Sequence, residues 1–162
     1  MQALCNINEK AKRQKDKTKI MENKNNLTKE EYERIGKLIL DCAFEVHKEL
    51  GPGLLESVYE ECLVFELKQK GLKAENQVFL PIHYKGNKLN KNFRIDIMVE
   101  DIIALELKSA YEIYPIDEAQ LVTYMKLSKI KLGYVLNFNV ILLKDGIRKK
   151  YNNYFIEEQF KK

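Results

Sequence analysis

Asp96, Glu106 and Lys108 are the residues best placed to do chemistry, because each sits in a strongly apolar, strand-like run: Phe93-Arg-Ile-Asp96-Ile-Met-Val99 and Ile102-Ile-Ala-Leu-Glu106-Leu-Lys108. Strand side chains alternate faces, so Glu106 and Lys108 point to the same side of their strand. A tight turn at Glu100-Asp101 would pair the two runs and bring Asp96 alongside Glu106. Two carboxylates and an ammonium would then share one edge of a sheet. Burying such charges is costly unless they pair or hold a metal. Mg²⁺ is a cation that takes oxygen ligands of this kind and keeps several waters. The plainer reading is a solvated strand face, since Glu-x-Lys is common in a chain rich in both residues and one-sided sheets alternate in this way. The metal reading gains weight from the Asp ten residues upstream of Glu106 and from the apolar neighbours of all three.

Further candidates lie on helices. Glu56 and Tyr59, in Gly53-Leu-Leu-Glu56-Ser-Val-Tyr59, open a predicted helix. A first-turn acid there is explained by the helix dipole or by a site, and on Glu56 alone the dipole suffices. Gln120 and Tyr124, at i and i+4, share a face of a later helix with Asp117. Asp117 and Gln120 also fit an N-cap pair, and Tyr124 fits a core tyrosine with a satisfied hydroxyl.

The elements that would position these residues begin with a capping box, Thr28 and Glu31, and a staple of Leu27 with Tyr32. Ile35, Leu38, Ile39, Cys42, Val46 and Leu50 follow at helical spacing up to Gly51-Pro52-Gly53. A second helix is expected from about Leu54 to Lys70, ending at Gly71. Strands are expected at roughly 76–84, 92–99 and 102–108, a helix from Ile116 to Ser128, and a strand from Leu132 to Asn139. Strand-like pieces follow around 140–143 and 147–151. This order predicts an α/β or α+β class with one central sheet.

Composition sets the outer bounds. Residues 27–162 suit one domain with its own core, while residues 1–26 read as a disordered basic tail. Met21 is an alternative native start. The tail carries seven Lys/Arg and three Asp/Glu; the remainder carries 21 of each sign and is neutral. Bulk charge therefore does not announce a nucleic-acid binder, although a basic arm could add salt-dependent affinity for a polyanion. No apolar run is long enough to span a membrane, and no signal-peptide core is present. Cys5, Cys42 and Cys62 lack CxxC spacing, and two histidines, His47 and His83, are too few for a zinc site. A reducing, cytoplasmic setting follows.

Taken together, Gly53-Leu-Leu-Glu56-Ser-Val-Tyr59, Gln77, Phe93-Arg94-Ile95-Asp96, Glu106-Leu-Lys108, Ala119-Gln120-Leu121 with Tyr124, and Asn137-Phe138-Asn139 carry a resemblance. From Leu50 to Arg148 the chain resembles the GxxExxY protein family, a branch of the PD-(D/E)xK nuclease-like superfamily. That resemblance implies a restriction-endonuclease-like core, a mixed sheet of about four strands flanked by helices. Glu56, Asp96, Glu106, Lys108 and Gln120 would meet at one edge of it. It further implies a Mg²⁺- or Mn²⁺-dependent nuclease acting on DNA or RNA, DNA being favoured. Asp96, Glu106 and the Leu107 carbonyl would hold the ion, and Glu56 would reach it through water or hold a second. Lys108 would orient the attacking water, Gln120 would position water or phosphate, and Tyr59 and Tyr124 would support them. The family pattern often places a His where this chain has Asp117, so Asp117 is left to ligate metal or cap the helix. The rival expectation is a non-catalytic nuclease-fold module that binds nucleic acid or a protein partner. A homodimer is also open, because nuclease domains that cut both strands often pair.

Overall fold

The computed structural model describes residues 27–152. The predicted tail, residues 1–26, and the alternative start at Met21 lie outside them. Contacts divide the chain into an opening unit that ends at Glu33 and a body from Arg34 onward. In the opening unit the predicted capping box is present. The Thr28 N–H donates to Glu31 Oε2 at 2.7 Å, and the Glu31 N–H donates to Thr28 Oγ1 at 3.3 Å. This cap starts α1, Lys29–Leu50.

The body continues with α2 (Glu56–Gln69), β1 (Ala74–Tyr84), β2 (Asn87–Val99), β3 (Ile103–Lys108), α3 (Pro115–Ser128), β4 (Leu132–Asn137) and β5 (Ile147–Tyr151). Of the α1 positions predicted to face inward, Ile35, Ile39, Cys42 and Val46 are buried, whereas Leu50 is exposed. The sheet has five strands in the order β1-β2-β3-β4-β5, one more than the roughly four expected. The additional strand is 147–151, which pairs antiparallel with β4 from Leu136↔Ile147 to Leu132↔Tyr151. Its exposed Arg148 and Lys149 suit an edge strand, where charge blocks pairing with other chains. The piece at 140–143 is no strand, and Leu143–Gly146 instead forms a short 3₁₀ turn.

β1, β2 and β3 form an antiparallel meander, and β3 pairs parallel with β4. Parallel neighbours need a crossover, which α3 supplies. α3 packs closely on the sheet at Gly133, where an added Cβ would lie 2.7 Å from Met125 Sδ and 3.1 Å from the Ala104 carbonyl. Leu121, Met125, Ile130, Val135, Ala104, Ile95, Met98 and Phe93 fill this side of the core. Glu118 ties α3 to the edge strand through Arg148 and Lys150. The β2–β3 turn uses Glu100 and Asp101 as predicted, both at positive φ (52° and 57°). Three residues, Glu100 to Ile102, separate the paired Val99 and Ile103, and positive φ at the first two lets the chain reverse tightly. The Ile102 N–H closes it on the Val99 carbonyl at 3.0 Å.

Candidate metal centre

The hairpin sets the site. The β2–β3 ladder runs from Val99↔Ile103 to Ile97↔Leu105 and stops just short of Asp96 and Glu106. There the Asp96 side chain replaces the backbone, and its Oδ2 accepts the Leu107 N–H at 2.9 Å. Glu106 stands in the next register position, so the two carboxylates come side by side as the sequence predicts. Both are buried, at 7 % and 5 % exposure.

Lys108, on the same side of β3, has its Nζ 3.4 Å from Glu106 Oε1 and 3.3 Å from Asp117 Oδ1. Asp117 is therefore part of the cluster. It is not the N-cap, however, because α3 starts one residue earlier than expected, at Pro115, and Tyr114 takes the cap position. Asp117 sits one turn in, and its Oδ2 accepts the Tyr114 N–H at 2.9 Å.

Glu56 begins α2, two residues later than the helix was expected to start, and its Oε1 accepts the Ser109 N–H at 3.1 Å, just past the end of β3. The Ser109 hydroxyl donates to the Leu54 carbonyl at 2.5 Å, so two bonds join this loop to the β3 end. Tyr59 fixes the loop from beneath. Fully buried, its hydroxyl donates to the Gly51 carbonyl at 2.6 Å and accepts the Leu54 N–H at 3.1 Å. Its ring stacks on Phe138 at 4.5 Å. Gln120 does not bond to the carboxylates: its amide donates to the Tyr124 hydroxyl at 2.9 Å, and the Tyr124 ring stacks on Phe93.

Electrostatics fit an oxygen-ligated cation. Burial, with the charge of Asp96 added, pushes the Glu106 carboxyl up to about 7. Burial also raises Asp96, against the lowering effects of the Leu107 N–H and Arg94, while the charge of Glu56 adds to the rise. Burial works to lower the Lys108 ammonium, but Glu106 and Asp117 outweigh it and leave its pKa raised. Two buried carboxylates that disfavour each other's charge are relieved by a cation placed between them. Carboxylate oxygens such as those of Asp96 and Glu106 are the kind of donor that Mg²⁺ or Mn²⁺ prefers. Among the described residues no three His, Cys, Asp or Glu side chains converge as a ready-made metal cluster. A cation there would thus rest on two carboxylates and complete its shell with carbonyl and water oxygens.

Three neighbours carry no predicted role. Glu60, one turn after Glu56, is buried and receives the Gln77 amide. Arg94, two residues before Asp96, places Nη2 3.4 Å from Asp96 Oδ1. Asn137 bridges to Ala110, its side chain bonding both the Ala110 N–H and carbonyl and so tying the β4 end to the loop after β3. The i, i+2 spacing of Arg94 and Asp96 was the available signal, whereas nothing in the sequence marked Glu60 as buried. His47 Nε2 bonds the Val140 carbonyl at 2.8 Å.

A family model described as the PD-(D/E)XK nuclease superfamily matches residues 33–150. The curated proteins and the solved structures give no match to the chain.

Proposed function

We propose that this chain, which belongs to the PD-(D/E)XK nuclease superfamily, is a nuclease that hydrolyses phosphodiester bonds of DNA with Mg²⁺ or Mn²⁺. The observation that carries the reading is the open end of the β2–β3 ladder, where Asp96 caps the Leu107 N–H beside Glu106 and Lys108. Asp96, Glu106 and the Leu107 carbonyl would hold the ion, with Glu56 reaching it through water. When bound, such a cation lowers the pKa of water and draws off charge from the phosphoryl oxygens.

The chain's own residues do the rest. Lys108 stays charged at neutral pH because Glu106 and Asp117 flank it. It orients the attacking water and offsets negative charge as the proton leaves, rather than acting as a neutral base. Asp117 holds Lys108 and the start of α3 in register, which is a role a carboxylate can fill where the resembling family often has His. Gln120 positions water or phosphate, its amide steadied by Tyr124. Residues 27–162 act as one nuclease domain in the cytoplasm.

The test incubates the protein and its Glu106→Ala variant with labelled single- and double-stranded DNA and RNA, with Mg²⁺, Mn²⁺ or EDTA. Metal-dependent cleavage that vanishes in the variant is expected, and Asp96→Ala should lose it equally. Nucleic-acid binding that ignores metal and never cuts would instead identify a non-catalytic module, the reading that the neutral body favours.

A further inference from the structure

Gln77 is the one described residue inside a strand with a left-handed backbone, φ 54°, and it is not glycine. The β1–β2 ladder passes from Asn76↔Ile97 to Val78↔Ile95, stepping over Gln77 and the residue it faces, Asp96. On its other side β2 leaves the β3 ladder at Ile97↔Leu105. Asp96 thus sits where the regular pairing lapses toward both neighbours. Its carboxylate is turned to the Leu107 N–H and to Arg94.

Glutamine in this conformation costs backbone energy that glycine would not. Its side chain shows what the cost secures. The Gln77 amide nitrogen donates to both oxygens of Glu60, at 2.7 Å each. Glu60 is 6 % exposed on α2, within the field of Asp96 and Arg94. An apolar side chain would fill a core position without the penalty of burying an acid beside another acid. Two unfavourable choices, a kinked glutamine and a buried glutamate, therefore occur together, bonded to each other, directly across from Asp96.

We propose that Glu60 and Gln77 are positioning residues: the pair locks the β1 kink against α2 and thereby holds the Asp96 carboxylate on the Leu107 N–H, ready to receive a cation. This rests on the reading of Asp96 as a metal-holding carboxylate. Partners that orient a ligand without touching the metal are often nearly as influential as the ligand. Glu60 and Gln77 would be of that kind, one step further out than Arg94.

The experiment compares the full chain with Gln77→Gly, Glu60→Ala and Glu60→Gln. It reads the melting temperature and Leu107 amide hydrogen exchange without metal, and Mn²⁺ affinity by calorimetry. Gln77→Gly relieves the strain of the kink but leaves buried Glu60 without its amide partner, so it should melt only a few degrees lower than the parent. Its Leu107 amide should nevertheless exchange faster, and its Mn²⁺ affinity should fall about tenfold, the low end for such outer partners. Glu60→Ala should show the same losses, and Glu60→Gln, which keeps an acceptor for Gln77, smaller ones. A residue that only stabilises the fold would shift melting and leave these readouts in step with it. Folded variants with parental Leu107 exchange and parental Mn²⁺ affinity overturn the proposal. If the parent itself binds no Mn²⁺, the nuclease reading fails, while Leu107 exchange still decides whether the pair holds Asp96.

Discussion

Glu106 keeps its proton to about pH 7 because burial and the charge of Asp96 both disfavour its carboxylate. In the unfolded chain it titrates near its ordinary value of 4.5. Between those values the native state holds a proton that the unfolded state has released, so stability is full below pH 4.5 and drains away as pH rises through 7. The whole effect is on the order of 3 kcal/mol. Without metal, the melting temperature should therefore fall between pH 4.5 and 7 and level off above, and Glu106→Gln should flatten that slope. A rising melting temperature over this range in EDTA would contradict the assignment. At the same scale, Tyr124→Phe removes only the hydroxyl that steadies Gln120 and keeps the stack on Phe93. It should slow cleavage a few-fold in steady-state assays, far less than Asp96→Ala. Asp96 and Glu106 were legible in the sequence because charge stands out inside a period-two apolar run. Glu60 was not: a glutamate on a helix reads as solvated until Gln77 and the β1 kink are known.

Elements decide how firmly these side chains are aimed. Tyr59 closes the loop before α2 with two hydrogen bonds and a ring stack. Tyr59→Phe would keep the stack but leave the Gly51 carbonyl and the Leu54 N–H without their partner, a loss of about 1–3 kcal/mol. Denaturant unfolding measures it, and Glu56 should shift with the loop. Gly133 is the second such point. Gly133→Val would force a side chain into Met125 and the Ala104 carbonyl, and α3 would have to move off the sheet. A melting temperature lowered by several degrees and weakened activity are expected together, since Asp117 and Gln120 ride on α3. The β2–β3 turn at Glu100-Asp101 was legible from two polar residues between apolar runs. The start of α3 was legible to within one residue, but Tyr114 is no usual cap residue, so the sequence did not show that Asp117 would stand at the third helical position and bond back to the cap. β5 could be read as a strand but not as part of the sheet, because nothing local to Arg148-Lys149-Lys150 says which strand it will border.

For the molecule as a whole, charge placement sets how it should meet a polyanion. Residues 27–162 are neutral overall, and the excess of positive charge lies in residues 1–26. Removing residues 1–26 should therefore flatten the dependence of DNA affinity on salt, with each lost phosphate contact lowering the slope by roughly 0.7–0.9. Anisotropy titrations of both chains across a salt series give the answer; equal slopes would place the phosphate contacts on the body. No described helix is long and apolar enough to cross a membrane. The fold class could be argued from element order, whereas the parallel pairing of β3 with β4 could not, since pairing across a crossover is set by tertiary packing. That crossover divides the inheritance of the site. Asp96, Glu106, Leu107 and Lys108 are written in one continuous stretch on a single hairpin, while Glu56 and Gln120 arrive from distant helices through the loops before α2 and after β3. Insertions in those loops would move Glu56 and Gln120 relative to the hairpin while Asp96 and Glu106 keep their spacing, so the surroundings of the carboxylates can be rebuilt without disturbing the pair itself.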